Sequence, residues 1–199
     1  MMKAHKTGLI FAVCLAAALA MSVVDVQTVS AVEVAGVTLD EFMEIGGKQV
    51  QLAGKGIRKK VVIKVYVAGL YMEIPRLDQE IIINSDQAKG LSMDFVYKKV
   101  EGEKLQSAWR EGFDNNTPER SPDLSSKMDQ FVAMFTQDAV KGDHYLITYE
   151  PGAGTTVNIK GEVKGTIPGE EFMRAVMAIW FGDKPADKGL KKSVLKGMK

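Results

Sequence analysis

The pattern of apolar and polar positions predicts strands first, then helices, then a hairpin and further helices. The longest run rich in β-branched and aromatic residues extends over residues 61–72. Because strand side chains alternate between faces, we expect one face to carry Val61, Ile63, Val65, Val67 and Tyr71, and the other Val62, Lys64, Tyr66, Ala68, Leu70 and Met72. A strand that is apolar on both faces is usually covered on both. We therefore predict that this run lies at the centre of the sheet.

Shorter runs of similar character predict further strands at residues 32–39, 48–52, 91–100, 144–149, 155–160 and 162–167. Gly46 and Gly47 are typical of a turn, and the segment 150–154 contains proline and two glycines between two β-rich runs, which indicates a hairpin.

Helical spacing of apolar residues predicts helices in the middle and at the end of the chain. Residues 102–113 place Trp109 and Phe113 on one side, and Ser121 with Pro122 is a typical helix start. A third helix follows Gly169 and ends near Gly182, a basic helix covers residues 187–198, and residues 78–84 form a short helix or an irregular segment. This order predicts an α+β fold, an antiparallel β-sheet with helices packed on one face.

The N-terminus has the layout of a secretory signal peptide. Lys3 and Lys6 precede an apolar run at residues 8–20, and small residues follow at Val29, Ser30 and Ala31. The apolar run is shorter than the ~20 residues that a spanning helix needs. We therefore expect residues 1–31 to be a cleaved signal peptide and residues 32–199 to form one domain, located in the periplasm or secreted.

Removal of residues 1–31 changes which chemistry the chain offers. The remaining domain contains no cysteine and one histidine, His144, and its basic and acidic residues balance at 24 each, from 26 and 25 in the whole chain. Thiol nucleophiles, thiolate zinc sites and multi-histidine metal sites are excluded, and we predict neither a metal nor a cofactor. A neutral domain is a poor candidate for nucleic-acid binding. The lysines of the last helix form a solvated face or contact anionic lipid headgroups at a membrane surface.

A basic segment with two glycines precedes the longest strand. Gly54 and Gly56 permit a sharp backbone path or the close approach of another group. On one unbroken strand, Arg58 and Tyr66 would share a face but stand roughly 26 Å apart. A hairpin that turns around residues 59–60 would bring both side chains to one ligand.

The run from Gly54 through Gly56 to Arg58, followed by the β-rich segment that ends Gly69-Leu70-Tyr71-Met72-Glu73, resembles the central hairpin of the chalcone isomerase superfamily. The segment Ile-Trp-Phe-Gly-Asp-Lys-Pro at residues 179–185 is most similar to the bacterial chalcone-isomerase-like proteins. The resemblance extends over nearly the whole exported chain. It implies the open-faced β-sandwich of that superfamily.

The resemblance also implies roles for individual residues. In the plant isomerases, which close a flavanone ring, an arginine stabilises negative charge, and Arg58 matches its position. The threonine position of those enzymes matches Tyr66, the tyrosine position Lys104, the asparagine position Glu111, and a polar position near the end of the pocket Met173. Only the arginine retains its residue type.

The fatty-acid-binding relatives match the chain better, because they hold a carboxylate with an arginine and a tyrosine of this hairpin. Our leading prediction is a non-catalytic binder of a fatty acid or similar small apolar carboxylate, with Arg58 and Tyr66 at the head group and Lys64, Lys104 and Met173 as candidate pocket residues. One alternative is an isomerase, or intramolecular lyase, acting on an aromatic or enone substrate with Arg58 and Tyr66 as catalytic residues. The other is a structural periplasmic domain without a ligand.

Overall fold

The computed structural model describes residues 30–198. The strands are β1 (Ala31–Val34), β2 (Val37–Asp40), β3 (Phe42–Ile45), β4 (Lys48–Lys60), β5 (Ile63–Met72), β6 (Lys89–Phe95), β7 (Lys99–Val100), β8 (Ala139–Val140), β9 (His144–Glu150), β10 (Gly154–Ile159) and β11 (Glu162–Ile167). The helices are α1 (Gln79–Asn84), α2 (Gly102–Asn116), α3 (Pro122–Ala133), α4 (Glu170–Phe181) and α5 (Lys188–Leu195). The expected signal peptide lies outside the described residues except for Ser30 and Ala31. Within residues 30–198, none of the helices has the length and apolar character needed to cross a membrane.

The main sheet has seven strands in the order β11-β10-β9-β6-β5-β4-β3. Every neighbouring pair is antiparallel. The predicted α+β class is confirmed. The strand expected at the centre, β5, is an interior strand one position from the middle strand β6.

The two faces of the sheet are covered differently. The helices lie on one face and enclose the main core, whose largest members are aromatic residues of α2, α3 and α4. On the other face, Val67 and Tyr71 of β5 belong to a smaller apolar cluster, against which residues of the β1–β2 hairpin pack. The prediction that the long strand is covered on both faces is therefore confirmed for its second half.

Several predicted strand boundaries were wrong. Residues 32–39 form the two strands β1 and β2 with a turn at residues 35–36. The predicted strand 91–100 ends at Phe95, and residues 99–100 pair separately with β8. The strand 48–52 continues to Lys60, so Gly54 and Gly56 lie inside a strand and make no sharp turn.

The two glycines of β4 instead allow another part of the chain to approach closely, which was the alternative role predicted for them. A Cβ atom at Gly54 would lie 2.3 Å from the carbonyl oxygen of Val194, and one at Gly56 would lie 2.7 Å from the side chain of Leu190. Both neighbours belong to α5. The missing side chains therefore let the last helix pack directly on the β4 backbone.

The start of α3 follows the local chemistry that the sequence predicted. The Ser121 side chain accepts a hydrogen bond from the Leu124 N–H at the start of α3. Asp78 caps α1 in the same way, which identifies residues 78–84 as a short helix, and Asp187 caps α5. Gly182 follows the last residue of α4, as expected.

Candidate functional site

The β4–β5 hairpin places Arg58 and Tyr66 directly opposite each other as neighbours in the antiparallel register. The chain turns at residues 61–62, not at 59–60 as predicted, because β4 extends to Lys60 and β5 begins at Ile63. Val61 and Ile63 were expected in the core and are exposed instead. The hairpin nevertheless brings the guanidinium and the phenol together, which an unbroken strand would not do.

A β-bulge at Val65 sets which side chains share a face. Arg58 pairs with Tyr66 and Lys59 pairs with Lys64, so Val65 has no opposite residue on β4. The Val65 carbonyl accepts hydrogen bonds from two successive backbone N–H groups just after β6. Because of the bulge, Val65 and Tyr66 both line one cavity, whereas strict alternation predicted that they point to opposite faces.

Tyr66 is buried, with 3% of its surface exposed, and its hydroxyl oxygen accepts a hydrogen bond of 2.9 Å from the indole Nε1–H of Trp180. An indole nitrogen only donates. The phenolic proton must therefore point elsewhere, and no residue of the described chain accepts it. Tyr66 thus keeps one donor for a further partner.

Arg58 is half-buried beside this phenol. Its Cζ atom lies 5.7 Å from the centroid of the Tyr66 ring, within the range of a cation–π interaction. Within residues 30–198, no carboxylate lies close enough to form an ion pair with the guanidinium. The Tyr66 side chain raises the pKa of Arg58 above its ordinary value, against the opposing effect of burial. Within residues 30–198 the guanidinium is therefore a cation without an ion-pair partner, although the charges of Asp187 and Glu111 also raise its pKa.

Two cavities meet at Arg58. One, of about 260 Å³, is lined mainly by apolar groups. Its lining residues are Arg58, Lys60, Ile63, Val65, Tyr66, Tyr97, Lys99, Val100, Lys104, Leu105 and Ala108. We call it the apolar cavity; it lies between the end of the hairpin and the start of α2.

The second cavity, of about 410 Å³, also adjoins Arg58 and has a more polar lining than the first. Ser107, Glu111 and Asn115 of α2 contribute to it, and the segment 184–186 closes its far side. We call it the polar cavity. Arg58 lines both cavities, as do Lys60, Lys104 and Ala108, so the two cavities adjoin each other along these side chains.

The other cations around the apolar cavity are partly neutralised. Lys99 forms an ion pair of 2.9 Å with Asp138, and Lys104 pairs with Glu101. The hydrogen bonds that the two lysines donate to these carboxylates raise the pKa of each lysine. Lys60 has no such partner within the described chain. The unpaired positive charge is therefore concentrated at Arg58 and Lys60.

The remaining residues singled out from the sequence are distributed as follows. Lys104 lines both cavities, and Glu111 lines the polar one. Lys64 is exposed on β5 and lines neither, and Met173 is fully buried within α4 and also lines neither.

Sequence reasoning missed the part that Trp180 plays, because its apolar spacing within a helix indicated only core packing. It also missed Lys60, which belongs to the lysine-rich segment and carries no individual signal. Both become visible only when the hairpin register and the position of α4 are known.

Comparison with known proteins supports the architecture. A family model described as chalcone isomerase-like matches residues 31–196. The crystal structure of a fatty-acid binding protein from Arabidopsis thaliana superposes with a TM-score of 0.69 at 19% sequence identity, over 83% of this chain and 96% of that one. At this identity the similarity demonstrates a shared fold. No curated protein sequence matches the chain.

Proposed function

The chain belongs to the chalcone isomerase-like family, and from that premise we propose that it is a non-catalytic binder of a small apolar carboxylate. Arg58 and Tyr66 hold the carboxylate, and the apolar cavity holds the tail. The protein of similar fold from Arabidopsis is a fatty-acid binding protein, which supports a ligand of this kind.

The observation that carries the proposal is the convergence of two unused donors on one hollow. Within the described residues the Arg58 guanidinium forms no ion pair with a carboxylate, and the Tyr66 O–H group is free to donate because Trp180 is the donor in their hydrogen bond. Both side chains line the apolar cavity. A guanidinium binds a carboxylate through two parallel hydrogen bonds, and each hydrogen bond to a charged group is worth about 1.5–3 kcal/mol.

The dimensions of the cavity restrict the tail. Its volume of about 260 Å³ lies just below the roughly 300–1,000 Å³ of typical small-molecule sites. Short acyl chains and aromatic carboxylates therefore fit better than long acyl chains. The polar cavity, which Arg58 also lines, leaves room for water beside the bound carboxylate.

The proposal is tested by direct binding. Calorimetry with a series of saturated and aromatic carboxylates should give the tightest binding for short or aromatic acids. Arg58→Ala should weaken binding at least about tenfold, the loss expected when one charged hydrogen bond of about 1.5 kcal/mol or more is removed. Arg110→Ala is the matched control, because Arg110 is an exposed arginine of α2 outside both cavities.

Mass spectrometry of small molecules released from the purified protein provides an independent test. A carboxylic acid recovered from the wild type and absent from Arg58→Ala supports the proposal. Equal affinity of the wild type, Arg58→Ala and Arg110→Ala for every acid in the series would refute it.

An isomerase remains the second candidate, because Lys104 and Glu111 join Arg58 around the polar cavity and supply titratable groups there. In that case Arg58 would stabilise developing negative charge and Tyr66 would act as general acid. Turnover of a panel of chalcones that is lost in Arg58→Ala would favour the isomerase. Binding without turnover favours the carrier.

The proposal includes export and membership of the bacterial branch. Export rests on Lys3, Lys6 and the apolar run that follows them, and the bacterial branch rests on the segment 179–185. Cell fractionation, together with determination of the mature N-terminus by mass spectrometry, tests the first. A mature chain that starts near Val32 is the expected result.

A further inference from the structure

The end of the β4–β5 hairpin exposes apolar side chains to an unusual degree. We call residues 59–64 the hairpin tip. Val61 is 90% exposed, Val62 is 85% exposed and Ile63 is 44% exposed. Single exposed apolar residues are common on protein surfaces, but three in succession at the end of a projecting hairpin form a continuous apolar point.

The turn sequence of the tip is also unfavourable for folding. The other two-residue turns between paired strands, at residues 35–36, 46–47 and 160–161, each contain glycine. The turn at 61–62 contains none, and Val61 adopts a φ of +58°. Positive φ is disfavoured for β-branched residues, and a turn with positive φ only at its first central residue normally has glycine there. Local stability therefore does not explain two valines at this position.

Lysines surround the apolar point. Lys59, Lys60 and Lys64 lie in the strands immediately behind the two valines. In the described part of the chain, none of the three is in an ion pair with a carboxylate. Asp187, the N-cap of α5, accepts a hydrogen bond from the backbone N–H of Lys59 and not from its ammonium group. The tip thus combines an apolar end with unpaired positive charge at its base.

We propose that the hairpin tip docks on the surface of an anionic lipid bilayer. Val61 and Val62 enter the boundary between headgroups and acyl chains, and the lysines contact the phosphates of anionic lipids. Charge complementarity favours this occupant. A protein partner is less well matched, because stable protein interfaces bury about 800 Å² on each side, far more than the side chains of one two-residue turn provide.

Docking of the hairpin tip would also bring the proposed carboxylate site close to the membrane. Lys60 and Ile63 belong to the tip and also line that cavity. Docking of the tip therefore places the mouth of the cavity at the bilayer surface, where apolar carboxylates are concentrated. The docking itself does not depend on the identity of the ligand.

The experiment is co-sedimentation of the delipidated protein, without added ligand, with vesicles of phosphatidylcholine alone or mixed with phosphatidylglycerol. The wild type should bind the mixed vesicles, and binding should fall as salt is raised. The double variant Val61→Gly/Val62→Asn has a sequence that suits this turn and should lower the affinity at least about tenfold without lowering the melting temperature. Lys60→Ser and Lys64→Ser should each lower it about fivefold.

Two controls make the result specific. Val163→Asn removes a valine that is 60% exposed on β11, away from the tip, and should leave vesicle binding unchanged. Lys192→Ser with Lys196→Ser tests the rival surface, the basic last helix. Vesicle binding that survives Val61→Gly/Val62→Asn, or that is lost in the Lys192/Lys196 variant instead, overturns the proposal. Failure of the folded wild type to bind mixed vesicles at low salt also overturns it and favours a protein partner.

Because no carboxylate is added, these outcomes are separate from the test of the carboxylate site. If the protein binds vesicles but no carboxylic acid, the docking proposal stands and the proposed function is refuted. If it binds carboxylic acids but no vesicles, the proposed function stands and the docking proposal is refuted.

Discussion

Removal of the Tyr66 hydroxyl should show how much its hydrogen bond with Trp180 contributes to the stability of the fold. Tyr66→Phe keeps the ring but deletes the hydroxyl that accepts the 2.9 Å hydrogen bond from Trp180. Both residues are nearly inaccessible to solvent, so water does not replace the lost acceptor. A buried donor left without a partner costs about 1–3 kcal/mol. We therefore expect Tyr66→Phe to lower the free energy of unfolding by about 2 kcal/mol, in addition to any effect on ligand binding.

Urea unfolding followed by tryptophan fluorescence measures this change, with an unchanged dependence on denaturant indicating that the unfolded state is the same. For a domain of this size, a loss of about 2 kcal/mol corresponds to a fall in melting temperature of about 4–8 °C. A double-mutant cycle with Trp180→Phe isolates the interaction, and we expect a coupling energy within the range of about 0.5–3 kcal/mol found for residues in contact.

Tyr145→Phe is the matched control. Tyr145 is a buried tyrosine in the same core, and no described residue forms a hydrogen bond with its hydroxyl. Equal losses of stability in Tyr66→Phe and Tyr145→Phe, together with zero coupling to Trp180→Phe, would refute the view that Trp180 fixes the orientation of the Tyr66 hydroxyl.

Two further predictions concern packing and pH. Gly54→Ala places a Cβ 2.3 Å from the Val194 carbonyl oxygen, so α5 must move and the free energy of unfolding should fall by about 1–3 kcal/mol. The control is Gly165→Ala, whose Cβ meets only the flexible end of a methionine; it should lower the free energy of unfolding by less in the same urea experiment. The hydrogen bond that His144 Nδ1–H donates to Asp94 raises the pKa of His144, so the pair stabilises the fold fully below about pH 6.5 and loses this effect as pH rises through the higher folded pKa. Because the histidine is half exposed, the pair should contribute no more than about 1 kcal/mol to stability. Asp94→Asn should remove this pH dependence from the unfolding free energy measured between pH 5.5 and 8. An unchanged pH profile would contradict the role given to the His144–Asp94 pair.

The helices and most strands could be predicted from the sequence because local signals define them. Ser121 and Asp187 cap their helices through contacts only two or three residues away. The α+β class follows from the order of the apolar patterns, and the family resemblance added the hairpin on which Arg58 and Tyr66 meet. These features need no knowledge of distant contacts.

The errors occurred where distant contacts or an irregular register decide the structure. Gly54 and Gly56 have the composition of a turn, but they lie in a strand because α5, more than 130 residues later in the chain, packs against them. Val61 and Val62 have strong strand propensity and form the turn. The bulge at Val65 adds a residue that a strict period of two does not anticipate, so the predicted faces of β5 were wrong on one side of it.

The bulge has a consequence for anyone who wishes to lengthen or shorten this hairpin. Because Val65 is an extra residue in β5, the alternation of side chains between the two faces shifts by one residue where the outer part of the hairpin meets the part inside the sheet. Deleting it would remove the bulge and leave a regular ladder, in which Lys60 and Ile63 still share the face of Arg58 and Tyr66. Residues inserted into the hairpin should be added two to each strand, because one residue per strand would turn every side chain beyond the insertion to the opposite face.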